Sequence, residues 1–356
     1  LYSITCHCGN ASQAVTITHL GDEIALCHKT EERHITGVLC TSYETIDKPE
    51  KYDQLRQFTG SDGTRYWCGT CGCHVFLHED KGGESVWLVP TGTLIGLDTH
   101  DEKRTVERMA NTYACHNAVK STVDGGLSSV SIVQSTHGST SKGAQGDVLH
   151  LSCGCKKVQM RITRPNNVSS SCRAKFPDLL MPYHSSDPLA VQNQGHKAWW
   201  LRPADSSKPN KYLAGTCACL TCRLTSGFEI QNWAFVPRTN TTLYFDGSKK
   251  PIPLDFNSLS VKTSLGTYQS SKGDINAFRH FCLQCGATLF WRDAYRTDVI
   301  DVSVGLMDAP EGARAERWLD WCTYRVSFSK DAALGRTGKI AVPAKSLIQG
   351  LEEGIK

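Results

Sequence analysis

The sequence predicts a mainly β protein built as two tandem copies of one domain. Three observations carry this: cysteine motifs recur in the same order in both halves, short runs alternate with period two, and Gly-rich turns separate the runs. The chain has 356 residues, which suits about two domains at roughly 100–200 residues each. The repeat shows in constant offsets. Cys6 to Cys153 and Cys8 to Cys155 are offsets of 147, Cys27 to Cys217 and Gly37 to Gly227 of 190, and Cys68 to Cys282, Cys71 to Cys285 and Phe76 to Phe290 of 214. The growing offset places two insertions in the second copy. Residues 1–133 are read as the first domain, 134–145 as a linker, and 146–356 as the second domain. The linker lies in a Ser-, Thr-, Gly- and Gln-rich stretch from Ser121 to Gly146.

The elements follow in order. Val15–Leu20 and Val158–Thr163 each follow a C-x-C pair and alternate apolar with polar residues, as half-buried strands do. His74–Leu77, Trp233–Val236 and Ala287–Trp291 are short runs rich in β-branched or aromatic residues. Ser85–Gly92 and Val299–Gly305 are matching apolar runs after the last cysteine pairs. Helical periodicity is scarce, and Ala344–Ile355 is the one helix expected, at the end of the chain.

Composition narrows the function classes. Hydrophobic residues are 40% and charged residues 21%, the proportions of an ordinary folded protein. No run reaches the roughly 18 apolar residues of a spanning helix, so no membrane is expected. With 39 basic and 35 acidic residues and no basic block, no nucleic-acid partner is expected either.

The outlying number is 17 cysteines. An odd count cannot all pair, and a chain of this size does not need a disulfide framework. Thiolates two or three residues apart suit one tetrahedral Zn²⁺ better than a disulfide or a redox pair. The second copy has seven clustered cysteines, which divide into four plus three. Cys153, Cys155, Cys282 and Cys285 would saturate one zinc. Cys217, Cys219 and Cys222 would leave a fourth position open for chemistry. Spacing leaves open the alternative that the seventh cysteine is merely buried.

These stretches resemble a family. The order Ser152-Cys-Gly-Cys155, Cys217-Ala-Cys-Leu-Thr-Cys-Arg223 and His280-Phe-Cys-Leu-Gln-Cys-Gly286 is similar to that of the glutathione-dependent formaldehyde-activating enzymes, which include the centromere-protein-V-type proteins. The resemblance implies two tandem β-tent (Mss4-like) zinc-binding domains. It also implies a structural zinc on Cys153, Cys155, Cys282 and Cys285 and a catalytic zinc on Cys217, Cys219 and Cys222. The activity implied is that of a zinc-dependent carbon–sulfur lyase or transferase. Its partners would be a small-molecule thiol, glutathione among the candidates, and an aldehyde or larger electrophile.

The first copy departs from the pattern. It keeps Cys6, Cys8, Cys68 and Cys71 but reads Cys27-His-Lys-Thr-Glu-Glu-Arg33, with Lys29 and Glu32 where the second copy has Cys219 and Cys222. An ammonium has no lone pair for zinc, so the first copy is expected to fold around zinc without the open site. That predicts about three zinc ions per chain. A different site on Cys27, His28, Glu32 and His34, or a role for Lys29 toward an anionic substrate, stays open. Trp199 and Trp200, in the insertion before the open site, and Arg223 and Arg279 are candidate substrate contacts. Free thiolates and the lack of a signal-peptide pattern suggest a cytoplasmic setting. A non-catalytic interaction module and a zinc hydrolase are the competing readings.

Overall fold

The computed structural model describes residues 1–19, 26–95, 146–174, 193, 195–204, 206–270 and 276–354. The expected linker, Cys115 and the stretch Met181–His184 lie outside them. The chain is mainly β, in sheets that are antiparallel except where Leu319–Trp321 pairs parallel to Lys211–Cys217.

The two halves share a strand order. In the first, Thr41–Ile46, Glu84–Pro90, His74–Lys81, Gly63–Trp67 and Arg56–Gly60 lie side by side, with Leu26–Cys27 also paired to Thr41–Ile46. In the second, Lys211–Cys217, Gln231–Pro237, Val299–Ser303, Thr288–Asp293, Ala277–Cys282 and Leu265–Gln269 follow in the same sequence. Smaller sheets repeat it: Leu94–Ile95, Tyr2–Ile4 and Gln13–Val15 in one half, and Met307–Asp308, Val148–Ser152 and Val158–Thr163 in the other.

The expected strands overlap these elements, but Ser85–Gly92 and Val299–Gly305 pass into 3-10 turns after Pro90 and Ser303, Ala287 precedes its strand, and Leu20 lies outside the described residues. The run from Val15 is broken into Gln13–Val15 and Ile17–His19, which belong to different sheets. Alternation reports which residues face inward but not which sheet receives them.

Five helices occur among the described residues: α1 (Thr30–Thr36), α2 (Asn167–Ser171), α3 (Leu220–Ser226), α4 (Leu259–Ser264) and α5 (Gly338–Gly354). The first four are too short to show periodicity, which is why the sequence predicts only α5. That helix begins at Gly338, before Pro343, rather than at Ala344. Proline usually marks a helix start, but buried Ala341, Ala344, Leu347, Ile348 and Leu351 recur every three or four residues, and their packing carries the helix through it. Among the described residues no helix is long and apolar enough to cross a membrane.

The halves interlock through reciprocal contacts. The His7 amide donates to the Leu224 carbonyl at 2.9 Å, and the Gly154 amide to the His34 carbonyl at 2.8 Å. Arg33 donates from Nη1 to the Gly305 carbonyl at 3.0 Å, and Arg223 from Nη1 to the Gly92 carbonyl at 2.8 Å. The two members of each pair stand at matching positions in the repeat, so one surface meets its own counterpart, as in an isologous interface. Trp67 meets Phe281 edge to face across the junction, with centroids 5.7 Å apart.

Candidate metal centres

Three groups of cysteine sulfurs converge: Cys6, Cys8, Cys68 and Cys71; Cys153, Cys155, Cys282 and Cys285; and Cys217, Cys219 and Cys222, with all sulfurs in a group within 4.8 Å of one another. No described cysteine is in a disulfide. Sulfur pairs lie 3.5 Å apart in the first group, 3.4–3.7 Å in the second, and 3.7 Å for Cys217 and Cys222. A tetrahedron with Zn–S near 2.3 Å has edges of roughly 3.8 Å. The donor sets therefore fit zinc in number, chemistry and spacing. Each of the three groups could hold one metal ion.

Each four-cysteine group joins a C-x-C turn to a C-x-x-C turn. In the second, Cys153 accepts the Val158 amide at 3.3 Å and Cys282 the Gln284 amide at 3.4 Å. Such bonds stabilise sulfur as thiolate. In the first, hydrogen bonds with Cys6 and then Cys71 hold the Cys68 thiol well below its ordinary range.

The three-cysteine group is built on a strand end and a helix start. Cys217 closes the strand Lys211–Cys217. Cys219 is the N-cap of α3, its sulfur accepting the Cys222 amide at 3.2 Å. This satisfies one of the amides a helix start leaves without a partner, and it turns Cys222 toward Cys219. Gly227 ends the helix in the left-handed conformation that glycine adopts at least cost. Among the described residues no further His, Cys, Asp or Glu atom joins the three sulfurs.

Arg279, one of the expected contacts, lies at this group. It is buried, donating from Nη2 to Cys222 Sγ at 3.3 Å and from Nη1 to Ser270 Oγ. Hydrogen bonds from Cys217 and Cys219, reinforced by the guanidinium, hold the Cys222 thiol well below its ordinary range. Three thiolates around a Zn²⁺ would sum to −1, and Arg279 would bring the buried cluster to neutrality.

The other expected contacts lie elsewhere. Trp200 is fully buried and donates from Nε1 to the Ser169 carbonyl at 3.2 Å. Trp199 packs on Trp200 and Phe235. Both are core residues of the second half, where large aromatic area is most stabilising. Arg223 is also buried, with its guanidinium on the Gly92 and Leu334 carbonyls. It joins the halves rather than facing a substrate.

The corresponding place in the first copy holds an ion pair. Glu32 stands where the second copy has Cys222, and Arg65 where it has Arg279. Arg65 Nη2 donates to Glu32 Oε1, and Asp62 takes both Nη1 and Nη2, at 2.8 and 2.6 Å. Tyr43 and Thr41 hydroxyls donate to Glu32 Oε2 at 3.0 and 3.2 Å. The arginine has kept its position while its partner changed from sulfur to carboxylate. Lys29 is exposed. Cys27, His28, Glu32 and His34 do not converge as a metal group; His34 instead donates from Nδ1 to the Ser152 carbonyl at 2.8 Å.

Two residues stand where the first four-cysteine group meets Arg279 and α3 of the second copy. His7, from the first copy, and Tyr268 are hydrogen-bonded at 2.8 Å between Nδ1 and the phenol oxygen. Burial, followed by the Arg279 charge, lowers His7, with Cys222 acting in the opposite sense. Both partners are half-buried. Of the remaining cysteines, Cys40, Cys73, Cys172 and Cys322 are buried outside the groups. In comparisons with known proteins, no family model and no curated protein matches the chain.

Proposed function

We propose that the chain is a zinc-dependent carbon–sulfur lyase or transferase whose active site is the Cys217, Cys219 and Cys222 group of the second copy. It would act on a glutathione-like thiol and an aldehyde or a larger organic electrophile. The observation that carries this reading is the three-sulfur group with no fourth protein donor among the described residues, beside a guanidinium bonded to one sulfur. The two four-cysteine groups take the structural role, and the β-tent, Mss4-like architecture and a reducing, cytoplasmic setting belong to the same reading. The count of about three zinc ions per chain goes with it.

Zinc bound there would offer one position to a thiol and lower that thiol's pKa. The side chains do the rest. Arg279 draws charge from Cys222, which keeps a thiolate-rich set from being too electron-rich to accept another sulfur. Ser270 fixes the arginine from the other side. Overall, the thiol sulfur forms a bond to the carbonyl carbon, the C=O π pair moves to oxygen, and the thiol's proton ends on that oxygen. The lyase direction reverses each change. A three-thiolate site is a poorer generator of hydroxide than an imidazole site, which favours thiol chemistry over hydrolysis.

The test is exchange NMR on glutathione and formaldehyde with the zinc-loaded chain. Acceleration of adduct formation that Cys219→Ala abolishes supports the reading. Full turnover by that variant would sink it, and two zinc ions in the wild-type chain would favour a non-catalytic interaction module.

A further inference from the structure

We propose that the first copy completes the second copy's site: Tyr268, fixed by His7, hydrogen-bonds the oxygen carried by the carbon that joins sulfur. This rests on the function proposed above and adds a positioning residue from the half that has no such site.

The placement comes from three anchors. Tyr268 pairs directly with Arg279 across the hairpin, and residues directly opposite in an antiparallel pair share a face. Arg279 reaches Cys222 from that face. His7 is held between Cys6 and Cys8, and its amide is bonded to Leu224, two residues beyond Cys222 on α3. The imidazole then meets the phenol at 2.8 Å.

The counterpart junction sharpens the argument. There Gly154 takes the place of His7, its amide bonded to His34. Phe58, opposite Arg65, takes the place of Tyr268. Neither can supply a polar side-chain group. The His–Tyr pair therefore stands at the junction of the first four-cysteine group with α3 and Arg279, and its counterpart is missing at the junction where Glu32 has replaced the third sulfur. A pair needed for folding alone would be expected at both junctions.

The chemistry fits an oxygen that changes from carbonyl to hydroxyl. If the phenol donates to Nδ1, the pair still presents the Nε2–H donor and phenol lone pairs. If Nδ1–H donates, it presents the phenol O–H and an Nε2 lone pair. In either arrangement one donor and one acceptor remain, matching the two needs of a hydroxyl on the carbon next to sulfur.

The test uses the zinc-loaded full chain and calorimetric titration with S-methylglutathione and with S-hydroxymethylglutathione, the latter formed from glutathione and excess formaldehyde. The wild type should prefer the hydroxylated ligand about tenfold, the scale of one hydrogen bond. Tyr268→Phe should lose that preference to within twofold while keeping its zinc content and its affinity for S-methylglutathione. His7→Gln should show the same loss, and because it sits between two cysteines, the Tyr268→Phe result stands without it. If Tyr268→Phe keeps the tenfold preference, the inference fails and the proposed function stands. If the wild type binds neither ligand, the proposed function fails and takes the inference with it.

Discussion

At Glu32, a carboxylate sits buried against Arg65 and Asp62, with Tyr43 and Thr41 donating to it. Glu32→Gln leaves Arg65 its two bonds to Asp62 and removes a hydrogen bond between charged groups, which is worth about 1.5–3 kcal/mol. It should destabilise the chain by about that amount in urea unfolding, with zinc content unchanged. In the second copy a substitution in the matching group acts on metal: Cys219→Ala should lower zinc by one ion per chain in elemental analysis and leave the circular dichroism spectrum near wild type. The cysteine spacings made all three groups legible in advance. The ion pair was not legible, because Arg65 is 33 residues from Glu32 and nothing local marks their meeting.

Helices α1 and α3 end on Gly37 and Gly227, with φ of +84° and +94°. Each lies against a strand of the other half, and a Cβ would fall inside the carbonyl oxygen of Thr288 or His74. Left-handed strain and overlap act together, so Gly37→Ala or Gly227→Ala should cost roughly 2–3 kcal/mol in thermal unfolding. The sequence offers these glycines as a matched pair at an offset of 190; only the structure shows that each helix end meets the opposite half. His74, on the strand facing Gly227, is fully buried, and burial lowers it to about 3. The folded state keeps it neutral while the unfolded chain protonates near 6.5. Its contribution is therefore complete above that pH and is lost as pH falls from 6.5 toward 3. At pH 5 the loss is about 2 kcal/mol. Wild type minus His74→Gln, compared by urea unfolding at pH 7 and pH 5, should show that difference.

Across the whole molecule, the two halves bury aromatic residues against each other: Trp67 against Phe281 and Tyr43 against Phe228. Arg33, Arg223 and Arg336 each donate to carbonyls of the opposite half. Expressing residues 146–356 without 1–145 would expose this surface. It should not behave as a folded monomer in size-exclusion chromatography, whereas the full chain should.

The sequence by itself determined the mainly β character, the repeated order of motifs, the three groups of sulfurs and the departure of the first copy at Lys29 and Glu32. Each of these depends on residues close in the chain or on a constant offset, and metal-ligand spacing is a local property. Only the tertiary structure decided that Trp199, Trp200 and Arg223 are buried in packing contacts, that Arg65 and Arg279 hold equivalent posts, and that His7 of one half meets Leu224 and Tyr268 of the other. Those outcomes depend on which surfaces meet when the halves pack. A polar side chain acquires its role there from partners that the linear order does not place beside it.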